Sequence, residues 1–172
     1  MIIDNTYNRK DYSENNDLKN YLDDLFSENI EATDCIKNFD TNEFVKNGMQ
    51  SQSYSNLYDC SGKTGIYIFF NKDNVPVYIG VGGEKNGKQD LKKRLTQHFP
   101  DTSHLAKNIR ETEKVLGYEK QVEHLTSKEI MLKYAPKFLI VIIGNLVEPH
   151  NCQKSQKLEK ILIALWNSRY NR

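Results

Sequence analysis

Between Thr64 and Gly80 apolar residues recur with a period of two on both sides of a short polar break, a pattern that admits little besides a β-hairpin. Ile66, Ile68 and Phe70 alternate with Tyr67 and Phe69. After Asn71-Lys72-Asp73-Asn74, the residues Val75, Val77 and Ile79 alternate with Pro76 and Tyr78. Pairing Phe70 with Val75 across the turn predicts Ile68 opposite Val77, Ile66 opposite Ile79 and Tyr67 opposite Tyr78. Residues facing each other across a hairpin share a side of the sheet, so one side is expected to be wholly aliphatic and buried while the other carries two phenols. Pro76 cannot donate a ladder hydrogen bond, so its nitrogen faces an edge or a disruption of the pairing. Taken alone, two tyrosines on a hairpin would simply pack, since Tyr populates strands readily.

Helix signals follow. Asp90 is a good N-cap and Pro100 a stop, which predicts a helix over Asp90 to Phe99 with Leu91 and Leu95 buried and Arg94 and His98 four apart on one face. Further helices are expected over His104 to Leu116, Ser127 to Tyr134 and Gln153 to Ser168, the last burying Leu158, Ile161, Leu162 and Leu165. Lys137 to Gly144 is strongly apolar and reads as the central strand of the sheet.

The first 60 residues differ in character. One amphipathic helix is expected over Asp17 to Asn29, and a shorter one between Thr33 and Lys46, interrupted near Asp40-Thr41-Asn42. Residues 1–60 carry 5 Lys and Arg against 12 Asp and Glu, a net −7, whereas residues 61–172 carry 19 against 11, a net +8. The domain division expected is therefore an acidic, mostly helical extension over 1–60 and a basic domain over 61–172. Excess positive charge suits a polyanionic partner, because each Lys or Arg laid against a phosphate releases a condensed counterion. The acidic extension is a candidate shield for that surface or a surface for a homodimer or protein partner. No apolar run approaches the length of a membrane helix, and Met1 to Asn5 lacks the pattern of a secretory signal, so the expected compartment is the cytoplasm. Cys35, Cys60 and Cys152 are too few and too scattered for a disulfide framework or a zinc site.

In order along the chain stand Gly65-Ile66-Tyr67, ten intervening residues, Tyr78-Ile79-Gly80, then Arg94 and His98 on a helix and Glu159 on a later helix. Over about residues 64–172 this series resembles the GIY-YIG nuclease family. The resemblance implies an α/β (α+β) fold with a small central three-stranded antiparallel sheet flanked by helices, here with a helical N-terminal extension. It also implies a divalent-metal-dependent endonuclease that hydrolyses DNA, with RNA as the alternative substrate, using Mg²⁺ or Mn²⁺.

Each position has a chemistry suited to that role. Glu159 would bind the metal, since Mg²⁺ keeps most of its waters and takes few protein carboxylates; its ordinary alternative is a surface glutamate paired with Lys154 or Lys160. Arg94 offers a permanently charged planar fork to stabilise phosphoryl charge in the transition state. His98 can orient or exchange a proton near neutral pH, or else is an exposed helix histidine. Tyr67 resembles the residue that takes the proton from the attacking water and Tyr78 its neighbour, although a phenol needs a cationic field to act as a base at pH 7. Substrate contacts are expected from Gly80, where the chain passes close to the cleft, from Lys85, Lys88, Lys92 and Lys93, and from His104 and Asn171.

Two other readings compete. The glycine loop over residues 82–89 nearly spells a phosphate-binding motif, but Gln89 replaces the hydroxyl that would hold Mg²⁺. A non-catalytic nucleic-acid-binding or partner-binding module on the same fold would differ from the enzyme only in whether the site residues work; none of the central ones is replaced, which favours the enzyme.

Overall fold

A computed structural model describes residues 36–46, 57–83 and 89–171. In chain order its elements are β1 (Ile36–Asp40), α1 (Thr41–Lys46), β2 (Lys63–Phe70), β3 (Pro76–Gly82), α2 (Leu91–Thr96), α3 (His104–Val115), α4 (Ser127–Tyr134), β4 (Lys137–Asn145) and α5 (Pro149–Trp166). The helix expected over Asp17 to Asn29, and Lys85 and Lys88 of the glycine loop, lie outside the described residues.

The sheet is antiparallel throughout and flanked by helices. It contains the three expected strands and a fourth, in the order β1-β4-β2-β3. The apolar run at Lys137 to Asn145 is an internal strand, as its composition required. The fourth strand comes from the stretch read as a short interrupted helix. Ile36 to Asp40 is instead extended, because pairing with β4 supplies a full ladder and Phe39 stacks on Phe138 at 5.1 Å. The interruption at Asp40 is the helix start: its carboxylate accepts the backbone N–H of Asn42 at 2.8 Å, and α1 begins at Thr41. Residues assigned by composition to the extension are thus built into the sheet.

The hairpin forms in a different register. Tyr67 pairs with Gly80 and Phe69 with Tyr78, two residues away from the expected match. A bulge is the cause: the pairing steps from Phe69↔Tyr78 to Phe70↔Pro76 and leaves Val77 without a partner, at the proline that cannot donate to the ladder. A shift of two preserves the face, so Tyr67 and Tyr78 remain on one side as diagonal neighbours, their ring centroids 6.3 Å apart.

Contrary to expectation, both sides of the hairpin are core. Ile66, Ile68, Ile79, Leu139 and Val141 pack against Leu158, Leu162 and Trp166 of α5. Tyr67, Phe69, Phe138 and Ile140 pack with Leu91 and Leu95 of α2, Leu105 and Ile109 of α3 and Ile130 of α4. Helices on both faces explain why the strands are apolar on both faces.

Caps set the helix positions. Asp90 accepts the N–H of Lys93 through one carboxylate oxygen at 2.8 Å and that of Gly62 through the other at 2.9 Å, so the cap that starts α2 also ties it to the chain entering β2. Helix α5 starts at Pro149, a turn earlier than expected, with proline at the position where its missing N–H costs nothing. It ends at Asn167, whose φ of 45° is left-handed. Beyond it the chain returns to β3, where the N–H of Tyr170 bonds Val77 O at 2.9 Å. Among the described residues no helix is long and apolar enough to cross a membrane.

Candidate active site

Gly80 determines where Tyr67 can lie. A methyl group on Gly80 would coincide with Cζ, Cε2 and the hydroxyl of Tyr67, so the phenol of β2 extends across the glycine of β3 toward the outer edge of the sheet. Gly65 is required for a similar reason, since a Cβ there would overlap the carbonyl of Val141. The glycines of the two tripeptides therefore serve close backbone approach.

Tyr67 is fully buried and its hydroxyl lies 2.7 Å from Nε2 of His98. His98 is itself 4% exposed, just beyond the end of α2, its N–H bonding Leu95 O. Its ring sits 5.4 Å from Tyr78 and 5.6 Å from Phe69. The reading of His98 as an exposed helix residue does not apply. Burial, with the positive charge of Arg94 and then of His104, pushes the imidazole pKa down to about 3, so the ring is neutral. Nδ1 of His98 is buried with no hydrogen-bond partner. An orphaned N–H at that atom would cost more than an idle lone pair. The favoured tautomer therefore carries its proton on Nε2 and donates it to the oxygen of Tyr67.

The two phenols differ in access. Burial drives the pKa of Tyr67 well above the phenol range; Tyr78 adds to the rise, Arg94 opposes it by charge and by hydrogen bonding, and Glu159 adds to it. Tyr78 is partly exposed. Its pKa is raised by burial first; Arg94 and a hydrogen bond from Tyr67 act in the opposite direction, while Glu159 reinforces the rise. In the absence of substrate both are neutral phenols at pH 7, and Tyr78 is the one open to solvent.

Arg94 and Glu159 reach this spot from different helices. Arg94 lies on the flank of α2, partly buried, with Nη1 3.5 Å from Oε1 of Gln89 and 3.4 Å from Oε1 of Gln97. Glu159 lies on α5, which packs on the other face of the sheet, on a partly exposed flank of the helix. The charges of both are felt at both phenols. The five residues singled out in sequence thus converge from β2, β3, α2 with its exit, and α5.

The residues expected to contact substrate are more dispersed. His104 is exposed at the start of α3, near enough for its charge to act on His98. Lys93 is exposed, while Lys92 sits on the flank of α2 away from Arg94, its Nζ 6.0 Å from the Tyr58 ring centroid. Asn171 is occupied: its amide accepts the N–H of Ile79 at 2.8 Å and donates to the carbonyl of Ile79 at 2.6 Å. Among the described residues no group of three His, Cys, Asp or Glu could hold a metal ion. Among the described residues Glu159 is the carboxylate whose charge acts on both phenols, and a single carboxylate fits a hydrated hard cation completed by substrate oxygens rather than a caged ion.

Two features escaped the sequence. Glu113 of α3 is 3% exposed yet accepts from Arg169 at 2.7 Å and from the hydroxyl of Tyr170 at 3.1 Å, tying the segment after α5 to α3. Thr64 and Ser155 form a buried hydroxyl pair between β2 and α5. Neither has a spacing that would single it out.

No family model matches the chain, and no solved structure matches it. The chain is similar to UvrABC system protein C of Mycoplasma mycoides subsp. mycoides, with 28% identity over 100 residues, and to the same-named protein of Mycoplasma capricolum subsp. capricolum, with 26% identity over 102 residues. The alignments span 55% and 56% of this chain but 16% of each relative, so the chain corresponds to a small part of those proteins.

Proposed function

We propose that this chain is a GIY-YIG-type nuclease domain that hydrolyses DNA phosphodiester bonds with a divalent metal ion. The observation that carries the reading is the contact of Tyr67, Tyr78 and His98 beside β3, with the charges of Arg94 and Glu159 acting on both phenols. The similarity to UvrABC system protein C over about half of the chain supports the same reading.

The residues divide the work by access and charge. Arg94 presents a guanidinium to the phosphoryl oxygens as charge gathers on them. Tyr78, at the solvent side, is the phenol that meets the attacking water. Burial raises its pKa, and the charge of Arg94 and the hydrogen bond from Tyr67 oppose that rise. Tyr67 stands behind it, held in orientation by His98. Glu159 would hold Mg²⁺ or Mn²⁺ together with water and substrate phosphate. When bound, such an ion supplies Lewis-acid neutralisation of phosphoryl charge. Lys93 and His104, both exposed beside the site, are the candidates for contacts to flanking phosphates.

The test is nicking of supercoiled plasmid in Mg²⁺ or Mn²⁺. Cleavage by the wild type and its loss in Glu159→Ala, with an unchanged melting temperature, is the expected result. Absence of cleavage across DNA and RNA substrates, with retained binding, would instead favour a non-catalytic binding module.

A further inference from the structure

We infer that Thr64 and Ser155 are positioning residues for the Glu159 carboxylate, an inference that rests on the nuclease reading above. Both side chains are fully buried, and their hydroxyl oxygens are 3.1 Å apart. Thr64 also donates to the carbonyl of Gly82 at 2.6 Å, and Ser155 lies 2.9 Å from the carbonyl of Asn151 one turn back in α5. Thr64 has a single proton, committed to the shorter bond to Gly82. The bond between the hydroxyls therefore uses the Ser155 proton, shared with the carbonyl of Asn151.

This pair is a polar contact between α5 and the sheet in an interface otherwise filled by Ile66, Ile68, Leu158 and Leu162. Apolar contact tolerates sliding, whereas a hydrogen bond between two buried hydroxyls fixes register to a few tenths of an ångström. The fixed point is well placed. Ser155 is four residues before Glu159, one helical turn of roughly 6 Å, and on β2 Thr64 is three residues before Tyr67, roughly 10 Å. Through Gly82 the same hydroxyl also holds the end of β3, the strand of Tyr78 and Gly80. The space a side chain on Gly83 would need is filled by Thr64, so the junction is packed as well as bonded. The arrangement sets where α5, and with it Glu159, lies relative to the strands that carry the two phenols.

Residues that orient a metal ligand typically alter metal affinity by about 10–100-fold when removed. The experiment titrates Mn²⁺ alone into the substrate-free protein, following the EPR signal of the free ion, for wild type, Thr64→Val, Thr64→Ser, Ser155→Ala and Glu159→Ala, with melting temperatures in EDTA. Expected are binding in the wild type that is lost in Glu159→Ala, weakening by about tenfold or more in Thr64→Val and Ser155→Ala, and recovery in Thr64→Ser. Should Thr64→Val not fold, Ser155→Ala decides. Mn²⁺ binding and plasmid nicking that remain at the wild-type level in Ser155→Ala would overturn the positioning role and leave the nuclease reading intact. A wild type that neither binds Mn²⁺ through Glu159 nor cleaves would remove both.

Discussion

The hydroxyl of Tyr67 and Nε2 of His98 are 2.7 Å apart inside a site from which both side chains are almost wholly excluded from solvent. The contact joins the first tripeptide to the exit of α2, and it makes the protonation state of one imidazole a condition of folding. His98 is neutral in the folded protein down to about pH 3, against 6.5 for an unperturbed histidine. Between those values the unfolded chain binds a proton that the folded chain does not. Stability from this residue is therefore complete above pH 6.5 and declines as pH falls toward 3, by about 1.4 kcal/mol per pH unit. Urea unfolding of wild type and His98→Gln between pH 7.5 and about 4.5 should show the wild type losing ground to the variant as pH falls. Parallel profiles would mean that the imidazole is not held neutral.

The two phenols should separate stability from chemistry. Tyr67→Phe leaves the buried imidazole with no partner on either nitrogen and should cost about 1–3 kcal/mol. Tyr78→Phe takes away the acceptor of the buried Tyr67 hydroxyl and should cost about 1 kcal/mol, while lowering cleavage by about 10²-fold or more. Thermal melts and single-turnover cleavage of a labelled duplex measure the two effects. A fully active Tyr78→Phe would exclude this phenol as the water-facing group.

Arg94→Lys keeps the charge but gives up the planar fork. Cleavage should fall by about 10²-fold with little change in melting temperature, because a point charge cannot meet two phosphoryl oxygens at once. Full activity in the lysine variant would show that charge alone suffices at this position.

Gly80→Ala places a methyl group on the phenol of Tyr67 and should cost about 1–3 kcal/mol by overpacking. Combined with Tyr67→Leu, which withdraws the far end of the ring, the same alanine should cost much less. A double-mutant cycle reads the coupling directly, and additive effects would show that the two residues do not compete for the same space.

Arg169→Met removes one of the two side chains that satisfy the buried carboxylate of Glu113. Arg169 is 44% exposed, so most of its field is already screened, and the expected loss is only about 1 kcal/mol. Glu113→Ala, which strands the buried hydroxyl of Tyr170 as well, should cost more. Equal and negligible effects would show that this cluster does not anchor the segment after α5.

Period-two patterning and capping residues made the hairpin, the central strand and the helices at His104 and Ser127 legible, because each is encoded locally. Where tertiary partners decide, local signals failed. Ile36 to Asp40 has apolar spacings compatible with a helix turn and becomes a strand because β4 offers an unpaired edge. The hairpin register depends on a bulge at Pro76, and a sequence marks the proline without showing which residue is displaced. The side of the sheet assigned to the phenols was legible, since a two-residue shift cannot change it. Its burial was not, because that depends on three helices distant in sequence packing over it. Arg94 and Glu159 stood out by their order in the chain. Thr64 and Ser155 did not, since a hydroxyl becomes informative only when its partner across the interface is known.

Asn171 and Tyr170 occupy backbone groups on β3 that no other strand among the described residues takes up: the N–H and carbonyl of Ile79 and the carbonyl of Val77. An unpaired strand edge is a template on which a second chain can add itself, and proteins with such edges are prone to join through them. Here a side-chain amide imitates a strand's peptide group at that margin, so the edge positions of Ile79 are already taken while the neighbouring phenol of Tyr78 stays partly open to solvent.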